Sequence, residues 1–169
     1  PELRARFGGL GDISAPCEDL ARFDIRPACV FVVENLQTGL AFEDLAGSVV
    51  IMGLGYAVDL LGQLPWLRNA LCLYWGDIDT HGFAILNRAR SYVPHMGSML
   101  MDESTLINHR DLWIEEREQH QATWLPMLIG REQKLFQQLR HDAFGHHVRL
   151  EQERIRWDMA WASVSSVVR

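Results

Sequence analysis

Four short apolar runs mark the first two thirds of the chain. Ala28-Cys29-Val30-Phe31-Val32-Val33 stops at Glu34-Asn35, and Ser48-Val49-Val50-Ile51-Met52 stops at Gly53-Leu54-Gly55. Ala70-Leu71-Cys72-Leu73-Tyr74-Trp75 stops at Gly76-Asp77-Ile78-Asp79, and the less apolar Ser98-Met99-Leu100-Met101 stops at Asp102-Glu103. Continuous apolar character, without alternation, predicts strands covered on both faces. Helix-compatible stretches separate them. Tyr56–Leu64 is closed by Pro65, Thr80–Arg90 offers Phe83, Ile85, Leu86 and Ala89 to a sheet, and Gln37–Leu45 is less regular. Farther on, Arg131–Arg140 predicts a helix with Leu135, Phe136 and Leu139 inward. His147–Leu150 predicts a fifth strand and Glu151–Val164 a closing helix. Strands alternating with helices predict an α/β fold with a mainly parallel sheet of four to five strands flanked by helices.

Residues 1–27, with Gly8-Gly9, Gly11, Pro16 and Pro27, show little periodicity and are expected to form a connector with at most one short element. The start Pro1-Glu2-Leu3-Arg4 lacks Met and an apolar leader, so a missing N-terminal region is expected before it. Residues 28–169 are then the folded domain.

The positions of the acids carry the chemistry. Glu34, the Gly53–Gly55 turn, Asp77 with Asp79, and Asp102 each follow a predicted strand. In an open parallel sheet those positions share the carboxyl edge, where ligands bind. Carboxylates gathered there repel one another, and a divalent cation relieves the repulsion. Oxygen ligands without Cys suit Mg²⁺ or Mn²⁺. Asp77 and Asp79 are two apart, so in extended backbone they point the same way. Simpler roles compete: Asp79 before Thr80-His81-Gly82, and Asp102 before Glu103-Ser104-Thr105, are both placed to cap helices. Glu34, closing a buried strand, needs a partner of some kind.

Composition adjusts this picture. The chain has 169 residues and is 48% hydrophobic and 22% charged, which suits one folded domain. No apolar run reaches the roughly 20 residues of a membrane span, so no membrane association is expected. Cys17, Cys29 and Cys72 are odd in number and lack CxxC spacing, which disfavours disulfides and zinc knuckles and fits a reducing cytoplasm. A net charge of −6 is unusual for a nucleic-acid binder and implies that other domains or partners hold most of any DNA.

Val32-Val33-Glu34-Asn35 followed by Trp75-Gly76-Asp77-Ile78-Asp79-Thr80-His81-Gly82-Phe83 resembles the topoisomerase–primase (Toprim) domain, a Rossmann-like fold. Its topoisomerase VI A-subunit and Spo-type branch is the most similar. Glu34–Thr38, Tyr74–Gly82, Leu100–Leu106 and Arg149–Ile155 further resemble the C-terminal domain of JetD, the nuclease subunit of bacterial Wadjet systems. The resemblance runs from about Val30 to Trp157. It implies a metal-dependent DNA endonuclease that cuts closed circular plasmids beside a condensin-like SMC motor. Carried over by position, Glu34 would be a metal ligand and general acid or base, and Asp77 and Asp79 the metal-binding pair. The topoisomerase relatives use a tyrosine on a separate upstream domain. Tyr56, Tyr74 and Tyr92 do not match it, so water is the expected nucleophile.

Accessory candidates follow. His81 could touch a phosphate or orient water. Arg88 and Arg149 are candidate DNA contacts, although Arg88 and Arg90 near a helix end also read as solvated. Glu151 is a candidate for the site, with an ion-pair network among Arg149, Glu151, Glu153 and Arg154 as the alternative. Trp113, Trp124, Trp157 and Trp161 read as core or interface, and His146-His147 lacks visible co-ligands. Two other functions compete with hydrolysis: strand transfer by an upstream tyrosine, and a non-catalytic Mg²⁺-binding module. Lys134, the only lysine, lies mid-helix, which disfavours a receiver domain, and no Walker loop is present. Cutting two strands needs two sites or two passes, and a homodimer would supply the former.

Overall fold

The apolar runs form a four-stranded, all-parallel sheet in the computed structural model, which describes residues 2–168. Strands β1 (Cys29–Val33), β2 (Ser48–Met52), β3 (Leu71–Trp75) and β4 (Gly97–Ser98) lie in the order β2-β1-β3-β4. All five residues of β1 are buried, as a central strand covered on both faces requires. Burying each such Val or Phe side chain contributes roughly 1.5–3 kcal/mol. β1 and β3 run level to their ends, with Val33 opposite Trp75, so the residues that follow them emerge side by side.

The helices are α1 (Glu2–Arg6), α2 (Cys17–Ala21), α3 (Leu36–Leu40), α4 (Thr80–Tyr92), α5 (Glu103–Asn108), α6 (Gly130–Arg140) and α7 (Trp157–Val167). Asn35 starts α3 by accepting from the Gln37 and Thr38 amides. Helix α4 packs against a 3₁₀ segment, Gly55–Gln63, and against α6, where Phe83 meets Phe136 edge-on. Phe31 of β1 meets Phe42, which in turn contacts Trp157 and Trp161 of α7. Among the described residues, no helix is long and apolar enough to cross a membrane. The three cysteines are unpaired.

Several expectations are corrected. The helix expected over Tyr56–Leu64 is 3₁₀ and kinked at Ala57. The fourth strand is Gly97–Ser98, starting one residue before its run, and the Met99 amide adds a bond to the Tyr74 carbonyl before Leu100, at a φ of 56°, turns the chain out of the sheet. The expected fifth strand does not join the sheet. It is β6 (Val148–Arg149), paired antiparallel with β5 (Ile114–Glu115) in a separate ribbon. The ribbon is tied to the sheet's edge by an antiparallel bridge between Leu150 and Ile78. The closing helix begins later than expected, after a 3₁₀ turn at Gln152–Arg154. Trp124 is 63% exposed and is not core. Residues 1–27, expected as a connector, contain α1 and α2, and the Trp66 indole N–H donates to the Leu20 carbonyl. Pro1 and Arg169, the outer limits of the expected segments, lie outside the described residues.

Candidate functional site

Level strand ends bring Glu34 beside the Asp77 loop. The Glu34 amide donates to the Trp75 carbonyl at 3.1 Å, continuing the ladder by one step. Glu34 Oε2 then accepts from the Tyr74 hydroxyl at 3.1 Å and lies 3.4 Å from the Asp77 amide. The intervening glycine is required by this closeness: a Cβ at Gly76 would sit 2.5 Å from the Tyr74 hydroxyl and 2.7 Å from Glu34 Oε2. Gly82 is required in the same way, since a Cβ there would collide with the Asp77 carbonyl oxygen. Thus the two glycines flanking Asp77-Ile78-Asp79 let the acidic loop fold tightly between β3 and the start of α4.

Asp77 and Asp79 are both buried. Asp77 Oδ1 accepts from the Gln152 amide at 2.7 Å, and Oδ2 from an Arg149 terminal nitrogen at 2.6 Å. Asp79 caps α4 through Oδ1, which accepts from the Gly82 amide at 2.6 Å. Its Oδ2 lies 3.1 Å from Arg149 Nε, a charge contact in which Nε makes no directed hydrogen bond. Capping and clustering therefore coexist at Asp79. Glu151 completes the ring at 3.6 Å from Arg149 and also binds Arg154 at 2.8 Å. The Leu150–Ile78 bridge carries Arg149, Glu151 and Gln152 onto the acidic edge.

Two participants were not visible in the sequence. Glu116 is 2% exposed, and its Oε1 accepts from the Thr80 amide, the Thr80 hydroxyl and the His81 amide at 3.1, 2.6 and 3.3 Å. Its Oε2 is buried with no partner. Gln152, fully buried, accepts from the Asn35 amide at 2.8 Å and so ties the Glu34 turn to Asp77. The only hint of Glu116 was an acidic pair after Trp113-Ile114, in a polar stretch with no strong periodicity.

The electrostatics follow from this crowding. Burial, then the Glu116 and Asp77 carboxylates, push Asp79 up to about 8 despite the Gly82 amide and Arg149. Burial and Asp77 raise Glu34 from its ordinary value, against the Asp77 amide and the Tyr74 hydroxyl. Burial would lower the Arg149 pKa, but Asp77 and Asp79 raise it overall. One guanidinium thus faces Asp77, Asp79 and Glu151, with Glu34 beside Asp77 and the Glu116 charge acting on Asp79.

The remaining candidates are distributed around this centre. His81 Nδ1 is 2.6 Å from the Tyr56 hydroxyl and Nε2 is 3.1 Å from the Glu118 carbonyl, so Tyr56 donates to His81 when Nε2 carries the proton. Burial, then Asp79, Glu34 and Glu116, raise the Tyr56 phenol, which makes it a poor nucleophile. Asp102 caps α5, accepting from the Thr105 amide at 2.8 Å and the Ser104 hydroxyl at 2.6 Å. Arg88 is half exposed and pairs with Asp59 at 3.2 Å. Arg90, expected to be solvated, is buried and pairs with Glu132 at 2.5 Å, because the end of α4 abuts the start of α6. Arg149 points into the carboxylates and not outward.

An all-oxygen donor set fits a hard divalent cation. The surplus of carboxylates over guanidinium and the orphaned Glu116 Oε2 both call for positive charge. As they stand, Asp77, Asp79 and Glu151 surround a guanidinium, and Glu34 lies against the Asp77 amide. Among the described residues, the trio whose ligand atoms all lie within 4.8 Å of one another is instead Glu115, His146 and His147.

Comparison with known proteins adds an independent line. The family model for the Wadjet protein JetD, C-terminal, matches residues 1–164. The comparison with curated proteins finds no match.

Proposed function

The chain belongs to the family of the C-terminal region of the Wadjet protein JetD, and from that premise we propose that it is the DNA-cleaving domain of an anti-plasmid defence complex. Membership implies a role in a Wadjet system alongside its other subunits. The finer reading is hydrolysis of DNA phosphodiesters with Mg²⁺ or Mn²⁺, on circular plasmid delivered by an SMC-like motor. The observation that carries it is the convergence of Glu34, Asp77 and Asp79 on one sheet edge with more negative charge than Arg149 neutralises.

Asp77, Asp79 and Glu34 would hold the cation, with the unpaired Glu116 Oε2 a spare oxygen donor behind Asp79. When bound, the cation supplies charge neutralisation to the phosphodiester and activation of water. The chain's own residues do the rest. Glu34, whose pKa burial and Asp77 raise from its ordinary value, is placed to exchange a proton with the attacking water or the departing oxygen. Tyr74 and the Asp77 amide hold that carboxyl in place. Gln152 fixes Asp77 through its amide. With Asp77 and Asp79 engaged by a cation, Arg149 would be left to pair with a phosphate oxygen, which reconciles its present inward direction with a DNA contact. The acidic net charge fits a domain that depends on its partners to hold DNA.

Supercoiled plasmid incubated with the full-length protein, its partner subunits and Mg²⁺ or Mn²⁺ tests the reading. Cleavage should fall by roughly 100-fold or more in Glu34→Gln, as for loss of an acid–base group. Equal cutting by the parent and Glu34→Ala would sink it. Denaturation should release free DNA ends, whereas protein-linked ends would indicate strand transfer by a tyrosine.

A further inference from the structure

On the opposite side of the β5–β6 ribbon from the acidic centre, the geometry points to a second metal site, for a borderline first-row divalent ion of the Zn²⁺ class. Its ligands are Glu115, His146 and His147. One ligand atom from each lies within 4.8 Å of the others. Glu115 Oε1 and His146 Nε2 are 3.7 Å apart. An ion about 2.1 Å from each ligand atom needs spacings of roughly 3–4 Å.

The imidazoles are prepared for this. His146 Nδ1 lies 3.3 Å from Asp142 Oδ2, and His147 Nδ1 lies 3.1 Å from the Glu116 carbonyl oxygen. Both partners are acceptors, so the tautomer that satisfies them, with the proton on Nδ1, turns the Nε2 lone pair of each ring toward an ion. That is how carboxylates and carbonyls orient metal-bound histidines. Asp142 Oδ1 also accepts from the His147 amide at 2.8 Å. The segment adopts positive φ at two non-glycine residues, Asp142 at 56° and His147 at 45°, and this conformation stacks the two rings 4.0 Å apart. Strain of this kind persists where a local arrangement is used. Three protein ligands, two of them nitrogen, leave a position open for water and favour Zn²⁺ over Mg²⁺.

The site has a structural consequence. Glu115 stands on β5 and the histidines lead into β6, so an ion there joins the two strands. Glu116 follows Glu115 directly, and Arg149 lies two residues beyond His147. Alternation along β5 turns Glu115 and Glu116 to opposite faces, so the ion would clamp the ribbon without entering the acidic centre.

The test uses the full chain, freed of any affinity tag and stripped with chelator, titrated with Zn²⁺ against a chromophoric competitor. The parent should bind one equivalent that Glu115→Gln and His146→Ala each weaken by at least tenfold. Asp142→Asn, which removes no ligand, should weaken it roughly 10- to 100-fold. Co²⁺ substituted at the site should show visible ligand-field bands that His146→Ala loses. Asp79→Asn should keep the equivalent, which separates this site from the acidic centre. The three side chains changed at the ribbon, Glu115, Asp142 and His146, lie at the surface, and thermal melts of metal-free protein check that all four variants are intact. Equal Zn²⁺ uptake by the parent and the three ribbon variants would overturn the assignment, as would uptake lost only in Asp79→Asn.

Discussion

Two arginines of this chain pair with buried carboxylates, and the two settings have opposite electrostatic characters. Arg90 faces one carboxylate, Glu132, through two contacts of 2.5 and 2.9 Å, and its other donors reach the Met96 and Met127 carbonyls. Glu132 is buried, which alone would raise its pKa. Hydrogen bonds from Arg90, Ser98 and the Ile129 amide overcome that and lower it. Arg149 faces Asp77, Asp79 and Glu151 together, and Asp79 is pushed up to about 8. Matched charge with saturated hydrogen bonds is a structural joint, here locking α4 to α6. Unmatched charge is poised for a ligand. Burial and ion pairing are common to both regions, so charge balance is what separates them.

The largest effect should come from breaking the matched pair. Arg90→Ala leaves Glu132 buried and unpaired and should cost about 3–5 kcal/mol in denaturant unfolding. A loss under about 1 kcal/mol would show that the pair is not the joint described here.

At the unmatched site the sign should reverse. Asp79→Asn removes one of the crowded charges and keeps an N-capping side chain for α4. At pH 9 without metal it should stabilise the chain by on the order of 1 kcal/mol or more, since each pKa unit corresponds to about 1.4 kcal/mol. The same substitution should abolish Mg²⁺-dependent cleavage. A destabilised variant at that pH would erase the contrast between the two arginines.

The pH dependence sharpens the comparison further. Folded Asp79 holds its proton to about 8, whereas the unfolded carboxyl releases it near 3.8. The folded state therefore binds more protons between those values. Its contribution is complete at low pH and is lost as pH rises from about 4 through about 8. Glu132 contributes oppositely, since its lowered pKa gives stability that is lost as pH falls below its ordinary 4.5. Metal-free thermal melts of the parent and Asp79→Asn should therefore diverge as pH rises, and Mg²⁺ should close the gap. The smallest effect belongs to Arg88→Ala. Its half-exposed pair with Asp59 should contribute less than about 1 kcal/mol to stability.

Three strands were legible in the sequence as uninterrupted apolar runs, although only central β1 is buried throughout and edge strand β2 is half-buried. β2 matches its run residue for residue, and β1 and β3 each begin one residue later than theirs. Level strand ends then made Glu34, Asp77 and Asp79 neighbours by topology alone. Contacts made by very short elements could not be read this way. β5 and β6 have two residues each, too few for a period, so Glu116 went unseen and β6 was assigned to the wrong sheet. Gln152 and Arg90 are polar residues whose burial depends on partners far along the chain, Asn35 and Glu132, which no local pattern reports. His146-His147 lacked meaning until the ribbon brought Glu115 alongside.

The central claim is that surplus negative charge at the carboxyl edge is held partly in check by a proton that a divalent cation displaces. Mg²⁺ calorimetry at pH 7, repeated in buffers of different ionisation enthalpy, measures this directly, and Mg²⁺ is poorly suited to the histidine-rich ribbon site. Binding to the parent should release about one proton, and Asp79→Asn should release none. Mg²⁺ binding without proton release, or no binding at all, would contradict the account.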